Sequence, residues 1–227
     1  MKTPICNVLN LGIINYKQGL ELQRKMVNAV SSREIENVLI LLEHPPVITL
    51  GRRSRKENII AESSVIEKLN IEIYSIERGG DVTYHCPGQV VGYPIIDLNR
   101  AGRDLHSYLR NLEEVLIRLL NEYKIQGRRI EGYTGVWVGD EKIGAIGVAS
   151  RNWITFHGFS LNVNPNLENF SLIHPCGIRE KGITSIKKLL KKNVNIKKVK
   201  QGLIKYFGDV FGFSMRNMIL KEKDIKK

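Results

Sequence analysis

Apolar residues fall into short blocks whose period changes along the chain. Ile5 to Gly12 and Asn37 to Glu43 are dense in apolar residues and read as strands. Between them, Tyr16 to Ser32 carries Leu20, Met26, Val27 and Val30 at roughly helical spacing, which predicts a strand–helix–strand opening. His44-Pro45-Pro46 then interrupts the pattern, Val47 to Leu50 is a short apolar run, and Gly51-Arg52-Arg53 begins a polar loop with a small helix near Glu62 to Leu69. Alternation returns in Ile71 to Ile76. The stretch from Arg78 to Leu98 threads four glycines and two prolines through apolar positions, the pattern of two short strands with a tight connection.

Leu105 to Tyr123 is the clearest helix, because Leu105, Leu109, Leu112, Leu116, Leu119 and Leu120 share one stripe while Arg110, Glu114 and Arg118 lie elsewhere. Gly135 to Val138, Ile143 to Ala149 and Trp153 to Leu161 read as an antiparallel meander with turns at Gly139-Asp140 and Arg151-Asn152. Helices are expected at Thr184 to Leu190 and Ile196 to Phe211. This mixture predicts an α+β protein, a mixed β-sheet flanked by helices. With 227 residues and 42% hydrophobic composition, a single domain spanning 1–227 is expected.

Composition narrows the classes. The N-terminal stretch lacks a basic region followed by an unbroken apolar run, and no run of about 18 apolar residues occurs elsewhere, so no membrane is expected and a cytoplasmic location is. Cys6, Cys86 and Cys176 are odd in number and far apart, without C-x-x-C or Cys/His spacing, which argues against disulfides or a metal site. The net charge of +12 is concentrated at the end: residues 187–227 hold thirteen Lys and Arg against three Asp and Glu, or +10, leaving +2 for the rest. Solvated helix faces, docking of an acidic protein, or nucleic acid would each account for this basic helical segment. Nucleic acid is disfavoured because Tyr206, Phe207, Phe211 and Phe213 have the spacing of core positions at one helix and its end.

Among chemistry-bearing residues, Cys176 sits in His174-Pro175-Cys176-Gly177, a turn that exposes a side chain, whereas Cys6 lies in an apolar run as a structural thiol does. A nucleophilic role needs the thiolate, hence a neighbouring cation or base; Lys142, His85, His157 and His174 are the candidates. Lys142 opens a strand of small and apolar residues, and reads either as a solvated hairpin end or as a partly desolvated ammonium beside a thiol. The glycine-rich stretch from Arg78 to Gln89 fits neither a P-loop nor a dinucleotide fingerprint; a hairpin turn and a wall where backbone approaches a ligand are both open.

Arg-Gly-Gly-Asp-Val-Thr-Tyr-His-Cys-Pro-Gly-Gln at 78–89, Lys-Ile-Gly-Ala-Ile-Gly at 142–147, His-Gly-Phe-Ser-Leu-Asn-Val at 157–163 and Pro-Cys-Gly-Ile at 175–178 together resemble the lipoate-protein ligase B family. The resemblance extends from about Glu43 to Ser185 in the family's order and spacing. It implies the biotin/lipoate protein ligase catalytic fold and an octanoyltransferase. Such an enzyme passes an octanoyl or lipoyl group from acyl carrier protein to a lysine of lipoyl domains, on 2-oxoacid dehydrogenases or glycine cleavage H protein, through a cysteine thioester and without a cofactor or metal. Cys176 and Lys142 match the family's catalytic dyad. Substrate binding maps onto Arg78, Gly79, Gly80, Asp81, Val82, Thr83, Tyr84 and His85, onto Ala145, Ile146 and Gly147, and onto Gly158, Phe159 and Ser160. Gly177, Gly79-Gly80 and Gly147 are candidate oxyanion donors by position. Cys86 and Ser160 depart from the glycine and alanine common in the family. An ATP-dependent lipoate or biotin ligase is the alternative on the same fold, and a monomer is expected.

Overall fold

The computed structural model describes residues 3–174 and 181–219. Its strands are β1 (Ile5–Ile13), β2 (Asn37–Glu43), β3 (Val47–Leu50), β4 (Glu72–Ser75), β5 (Val82–His85), β6 (Gln89–Ile95), β7 (Arg128–Ile130), β8 (Tyr133–Val138), β9 (Glu141–Arg151), β10 (Ile154–Asn162), β11 (Gly182–Ile183) and β12 (Ser214–Asn217). The helices are α1 (Tyr16–Ser31), α2 (Ser63–Lys68), α3 (Leu105–Glu122), α4 (Ile186–Leu190) and α5 (Ile196–Phe211). Nine strands form one sheet in the order β12-β1-β2-β6-β10-β9-β8-β7, with β11 beside β9. The β12-β1, β1-β2 and β11-β9 pairs are parallel and the others antiparallel, so the sheet is mixed, as the pattern predicts.

Both faces of this sheet are covered, which is why central β2 reads as an unbroken apolar run. Leu39 and Leu41 point into a core with α3 and α5, while Val38, Ile40 and Leu42 point into a core with α1. The α3 stripe supplies Leu112, Leu116, Leu119 and Leu120, all fully buried, each contributing roughly 1.5–3 kcal/mol. Asp104 caps α3 by accepting from Ser107 N–H at 2.9 Å, and Asn15 and Asn195 cap α1 and α5 likewise. Gly212, in the left-handed region at φ 68°, ends α5.

Two features depart from the periodicity. β3, β4 and β5 leave the large sheet and form a second, three-stranded one in the order β4-β3-β5. The preceding Pro45-Pro46 lacks the N–H groups needed to continue the β2 ladder. The helix expected from Thr184 is shorter: Gly182 and Ile183 pair with Glu141 and Lys142, and only after Ser185, whose hydroxyl accepts from Lys188 N–H, does α4 begin. Lys200 also departs from a solvated helix face: it is buried, donates to Leu11 O at 2.7 Å and lies 3.8 Å from Glu43.

Candidate functional site

Small residues lie opposite one another where β9 and β10 pair: Gly147 faces Gly158 and Ala145 faces Ser160, beside Ile146 and Phe159. They leave a trough on the sheet, and the segment from Arg78 to Asp81 closes it from above. That wall is fastened by backbone. Gly79 N–H donates to Val148 O at 2.8 Å, and Arg52 and Arg53 N–H donate to Arg78 and Gly80 carbonyls. The buried Arg78 guanidinium binds Thr49 O at 2.7 Å and its hydroxyl at 2.9 Å. A Cβ on Gly51 would lie 2.5 Å from Gly80 O, and one on Gly147 would lie 3.0 Å from Gly79 O. These glycines permit the close approach that makes the cleft.

Twelve of the residues mapped onto the substrate line this one cleft: Arg78, Gly79, Gly80, Asp81, Thr83, His85, Ala145, Ile146, Gly147, Gly158, Phe159 and Ser160. Val82 and Tyr84 do not line it. Because side chains alternate along a strand, Thr83 and His85 face the cleft while Val82 and Tyr84 turn into the small sheet's core, where Tyr84 meets Phe170 edge-on at 5.3 Å. Asp81 is chiefly a clamp, its carboxylate accepting from Val82 N–H at 2.7 Å, Arg55 N–H at 3.3 Å and the Asn58 amide at 2.5 Å.

The cleft also gathers Tyr16, Val91, Tyr93 and His157, to which the apolar pattern alone assigned no shared site. His44 lies behind them. Its Nδ1 must donate to the Ile14 carbonyl at 2.6 Å, so its Nε2 accepts from Tyr93 O–H at 2.7 Å and the ring is neutral. Burial pushes His44 down to about 4 and His157 to about 4. For His85 burial comes first and the field of His44 second, bringing it down to about 3. His157 is held at φ 55°, a positive value rare outside glycine, and its buried Nε2 has no hydrogen-bond partner among the described residues.

A chain of amides fixes His85. Asn162 Nδ2 donates to Thr184 O at 3.0 Å, which turns its Oδ1 toward Gln89 Nε2 at 2.8 Å and leaves Gln89 Oε1 to receive His85 Nδ1–H at 2.5 Å. The lone pair is thereby placed on His85 Nε2, the correct form for accepting a proton. Gln89 and Asn162 lie inside the sequence motifs, but only the three-dimensional pairing gives them this role.

Lys142 is 5% exposed, which removes the reading of a solvated hairpin end. Its Nζ lies 4.7 Å from the Trp137 ring centroid. It lines a pocket continuous with the cleft through Thr83, Ala145 and Ser160, and also borders a wider cavity with Arg53 and Arg55. Behind it, Gly135 at φ 120° passes so near that a Cβ there would stand 3.5 Å from Lys142 Cε and 2.6 Å from Gly144 O. Glu113, 1% exposed, holds Gly135 by accepting its N–H at 3.0 Å while binding Arg110 and Arg129.

Cys176 and Gly177 lie outside the described residues. The described chain stops before them at His174, whose N–H donates to Asn58 O at 2.7 Å, and resumes at Lys181, two residues before Ile183, which is in register with Lys142. Cys86 is buried in the small sheet's core and burial pushes its thiol up to about 12, so it behaves as a passive small residue rather than a second nucleophile.

Gly158 should be the least tolerant lining position. A Cβ there would fall 2.2 Å from Gly92 O and 2.5 Å from Pro94 Cδ, both parts of the neighbouring strand's backbone frame. Gly158→Ala is expected to cost about 1–3 kcal/mol, read as a lower urea midpoint, because the strands must move apart. An unchanged midpoint would show that β6 and β10 yield freely.

Comparison with known proteins places this geometry. The model of the lipoyl protein ligase A/B catalytic domain matches residues 15–208. The octanoyltransferase of Caldicellulosiruptor saccharolyticus is 47% identical over 223 residues, covering 97% of this chain and 94% of that protein. That of Thermoanaerobacter pseudethanolicus is 47% identical over 214 residues, covering 94% and 93%. In fold, the chain is similar to the bipartite lipoate protein ligase from Thermoplasma acidophilum (TM-score 0.75, 16% identity, 97% and 89% coverage) and to lipoate-protein ligase A bound with ATP (TM-score 0.74, 17% identity, 98% and 91% coverage). It resembles the biotin protein ligase of Aquifex aeolicus more distantly, with a TM-score of 0.55, 11% identity and coverage of 90% and 69%. The chain therefore belongs to the family of lipoyl protein ligase A/B catalytic domains, on its octanoyltransferase side.

Proposed function

We propose that this chain, acting as one catalytic domain, transfers an octanoyl or lipoyl group from the thioester of acyl carrier protein to a lysine of a lipoyl domain through a thioester on Cys176. The observation that carries the reading is the cleft between β9, β10 and the Arg78–Asp81 wall, small and apolar along its floor, with buried Lys142 at one end. A fatty chain suits such a floor. The relatives' shared activity, octanoyl transfer, favours this over an ATP-dependent ligase, which needs no nucleophilic cysteine.

In the first transfer the Cys176 thiolate attacks the donor carbonyl, the carbon–sulfur bond to the carrier breaks, and the carrier's sulfur leaves with a proton from the Lys142 ammonium. In the second, the acceptor amine attacks the Cys176 thioester, loses a proton, and expels the Cys176 thiolate. Lys142 supplies positive charge that favours the thiolate. Lys142, neutral once it has protonated the carrier's leaving sulfur, is the stronger acceptor for the amine proton; His85 Nε2 is unprotonated at neutral pH and within the same cleft, but burial, bringing it down to about 3, keeps it a weak base. Gly79 is an unsuitable oxyanion donor because its N–H is already given to Val148 O, and Gly147 because it sits in the antiparallel ladder opposite Gly158, leaving Gly80 and Gly177.

Exposed Lys187, Lys188, Lys191 and Lys192 on and beside α4 suit electrostatic capture of an acidic carrier or lipoyl domain. No helix among the described residues is long and apolar enough to cross a membrane, and we place the reaction in the cytoplasm, with the chain a monomer.

Intact mass spectrometry after brief incubation with octanoyl-acyl carrier protein tests the mechanism. One octanoyl adduct is expected on the wild type, removed by hydroxylamine and missing from Cys176→Ala. An adduct retained by the variant would move the nucleophile elsewhere, and modification of a lipoyl domain by free octanoate and ATP would restore the ligase reading.

A further inference from the structure

The cavity of about 720 Å³ on the far side of the Gly79–Gly80 wall has a composition unlike the acyl cleft. Lys142 and the backbone at Gly79-Gly80 and Gly147 border it, so it opens toward the same end of the cleft as the proposed dyad lysine. One side is apolar: Leu105 and Leu109 continue the stripe of α3 but stay half-buried instead of entering the core, and Tyr133 is 39% exposed. The other side carries Arg53 and Arg55, from the run Arg52-Arg53-Ser54-Arg55-Lys56, four cations in five residues.

Those four side chains are exposed and form no ion pair with a carboxylate among the described residues. Their backbone, by contrast, is tethered, since Arg52, Arg53 and Arg55 N–H groups donate to Arg78 O, Gly80 O and the Asp81 carboxylate. Asp81 is the acid of the cavity, and its charge is already spread over the Asn58 amide and the Val82 and Arg55 N–H groups. Cations without partners on a fixed backbone are arranged for an anion that the chain does not supply.

We propose that this cavity is the subsite for the phosphopantetheine arm of the donor, with Arg53 and Arg55 holding its phosphodiester and Leu105, Leu109 and Tyr133 covering the uncharged part of the arm. The inference rests on the reading of the donor as a carrier-bound thioester. The match is one of sequence along the ligand: anion at the arginines, neutral chain along the leucines, sulfur toward Lys142. Arginine suits the phosphate end because its planar donors bind phosphate oxygens in pairs.

The test compares two small donors that differ only in the phosphate, octanoyl-4′-phosphopantetheine and octanoyl-pantetheine, in transfer to a purified lipoyl domain at low ionic strength. The wild type should prefer the phosphorylated donor about tenfold or more in kcat/KM. Arg53→Gln/Arg55→Gln should bring that ratio close to one through loss on the phosphorylated donor, and Arg53→Lys/Arg55→Lys should retain part of it. A ratio equal in wild type and the glutamine variant overturns the subsite, also where transfer from the intact carrier protein falls, since the arginines would then be reading the carrier's acidic surface. Transfer by the wild type from octanoyl-acyl carrier protein but from neither small donor would overturn the subsite alone, and transfer from none of the three would overturn the donor reading and the subsite with it.

Discussion

Lys142→Met is expected to slow octanoyl transfer by about 10²–10⁴-fold with little change in melting temperature, because it removes a buried ammonium while keeping the length of its stem. Nζ lies over Trp137, and the lysine's surroundings from Gly135 to Ile183 are packed tightly enough to hold the apolar part of the chain in place. Loss of the cation–π contact costs roughly 1–2 kcal/mol, partly repaid by no longer burying a charge. On the proposed mechanism both half-reactions suffer: the Cys176 thiolate loses its counter-charge, and the amine one of its two proton acceptors. Single-turnover measurements of acylation by octanoyl-acyl carrier protein and of discharge to a lipoyl domain separate the steps. Lys142→Arg should rescue poorly, since the guanidinium stays charged and cannot pass on a proton. Rates within about threefold of wild type in Lys142→Met would remove the lysine from the chemistry.

Acid should destabilise this fold steeply before most carboxylates titrate. His44, His85 and His157 are buried neutral, lowered by desolvation to about 4, 3 and 4 respectively, whereas an unfolded histidine titrates near 6.5. A lowered folded value means that the unfolded chain takes up protons first. Stability is therefore undiminished above pH 6.5 and falls as pH drops from there toward the folded values. At pH 5 each histidine accounts for about 2 kcal/mol, so together they remove about 6 kcal/mol, a large fraction of an ordinary domain's stability. Urea unfolding at pH 7, 6 and 5 reads this directly. His85→Gln should reduce the slope by close to one proton, and a flat profile between pH 7 and 5 would mean that the cluster is open to water. Because the cleft exists only in the folded chain, the same acid range should abolish octanoyl transfer by unfolding.

Residue spacing was sufficient for whatever depends on a segment's own neighbours. The helices appear where the 3.6-residue period and the caps Asn15, Asp104 and Asn195 place them, and β2 is central because an unbroken apolar run requires cover on both faces. Three of the four motifs, at 78–89, 142–147 and 157–163, supply most of the cleft lining, because chemistry restricts residue type locally. Spacing was silent on orientation and on partners distant in the chain. The alternation of β5 was visible, but which face looks into the cleft depends on β3 pairing with β4 and β5 in a sheet of its own, so Thr83 and His85 line the cleft while Val82 and Tyr84, mapped to the substrate alongside them, enter the small sheet's core. Leu105 and Leu109 obey the α3 period yet border a cavity, because the sheet and α5 cover only the rest of the stripe.

The amino-acid sequence by itself determined the long helices and the central strands, the family, and the residue types available to the site, since these follow from local periodicity and motif chemistry, whereas the short edge strands β7, β11 and β12 form only against their partners. Only the tertiary structure decided that Lys142 is buried, that Asn162 and Gln89 orient His85, and that Tyr16, Tyr93 and His157 line one cleft with His44 bonded behind Tyr93. Each of those facts depends on contacts between segments tens of residues apart, such as Gly79 with Val148 and His157 with Gln23, which no local pattern encodes.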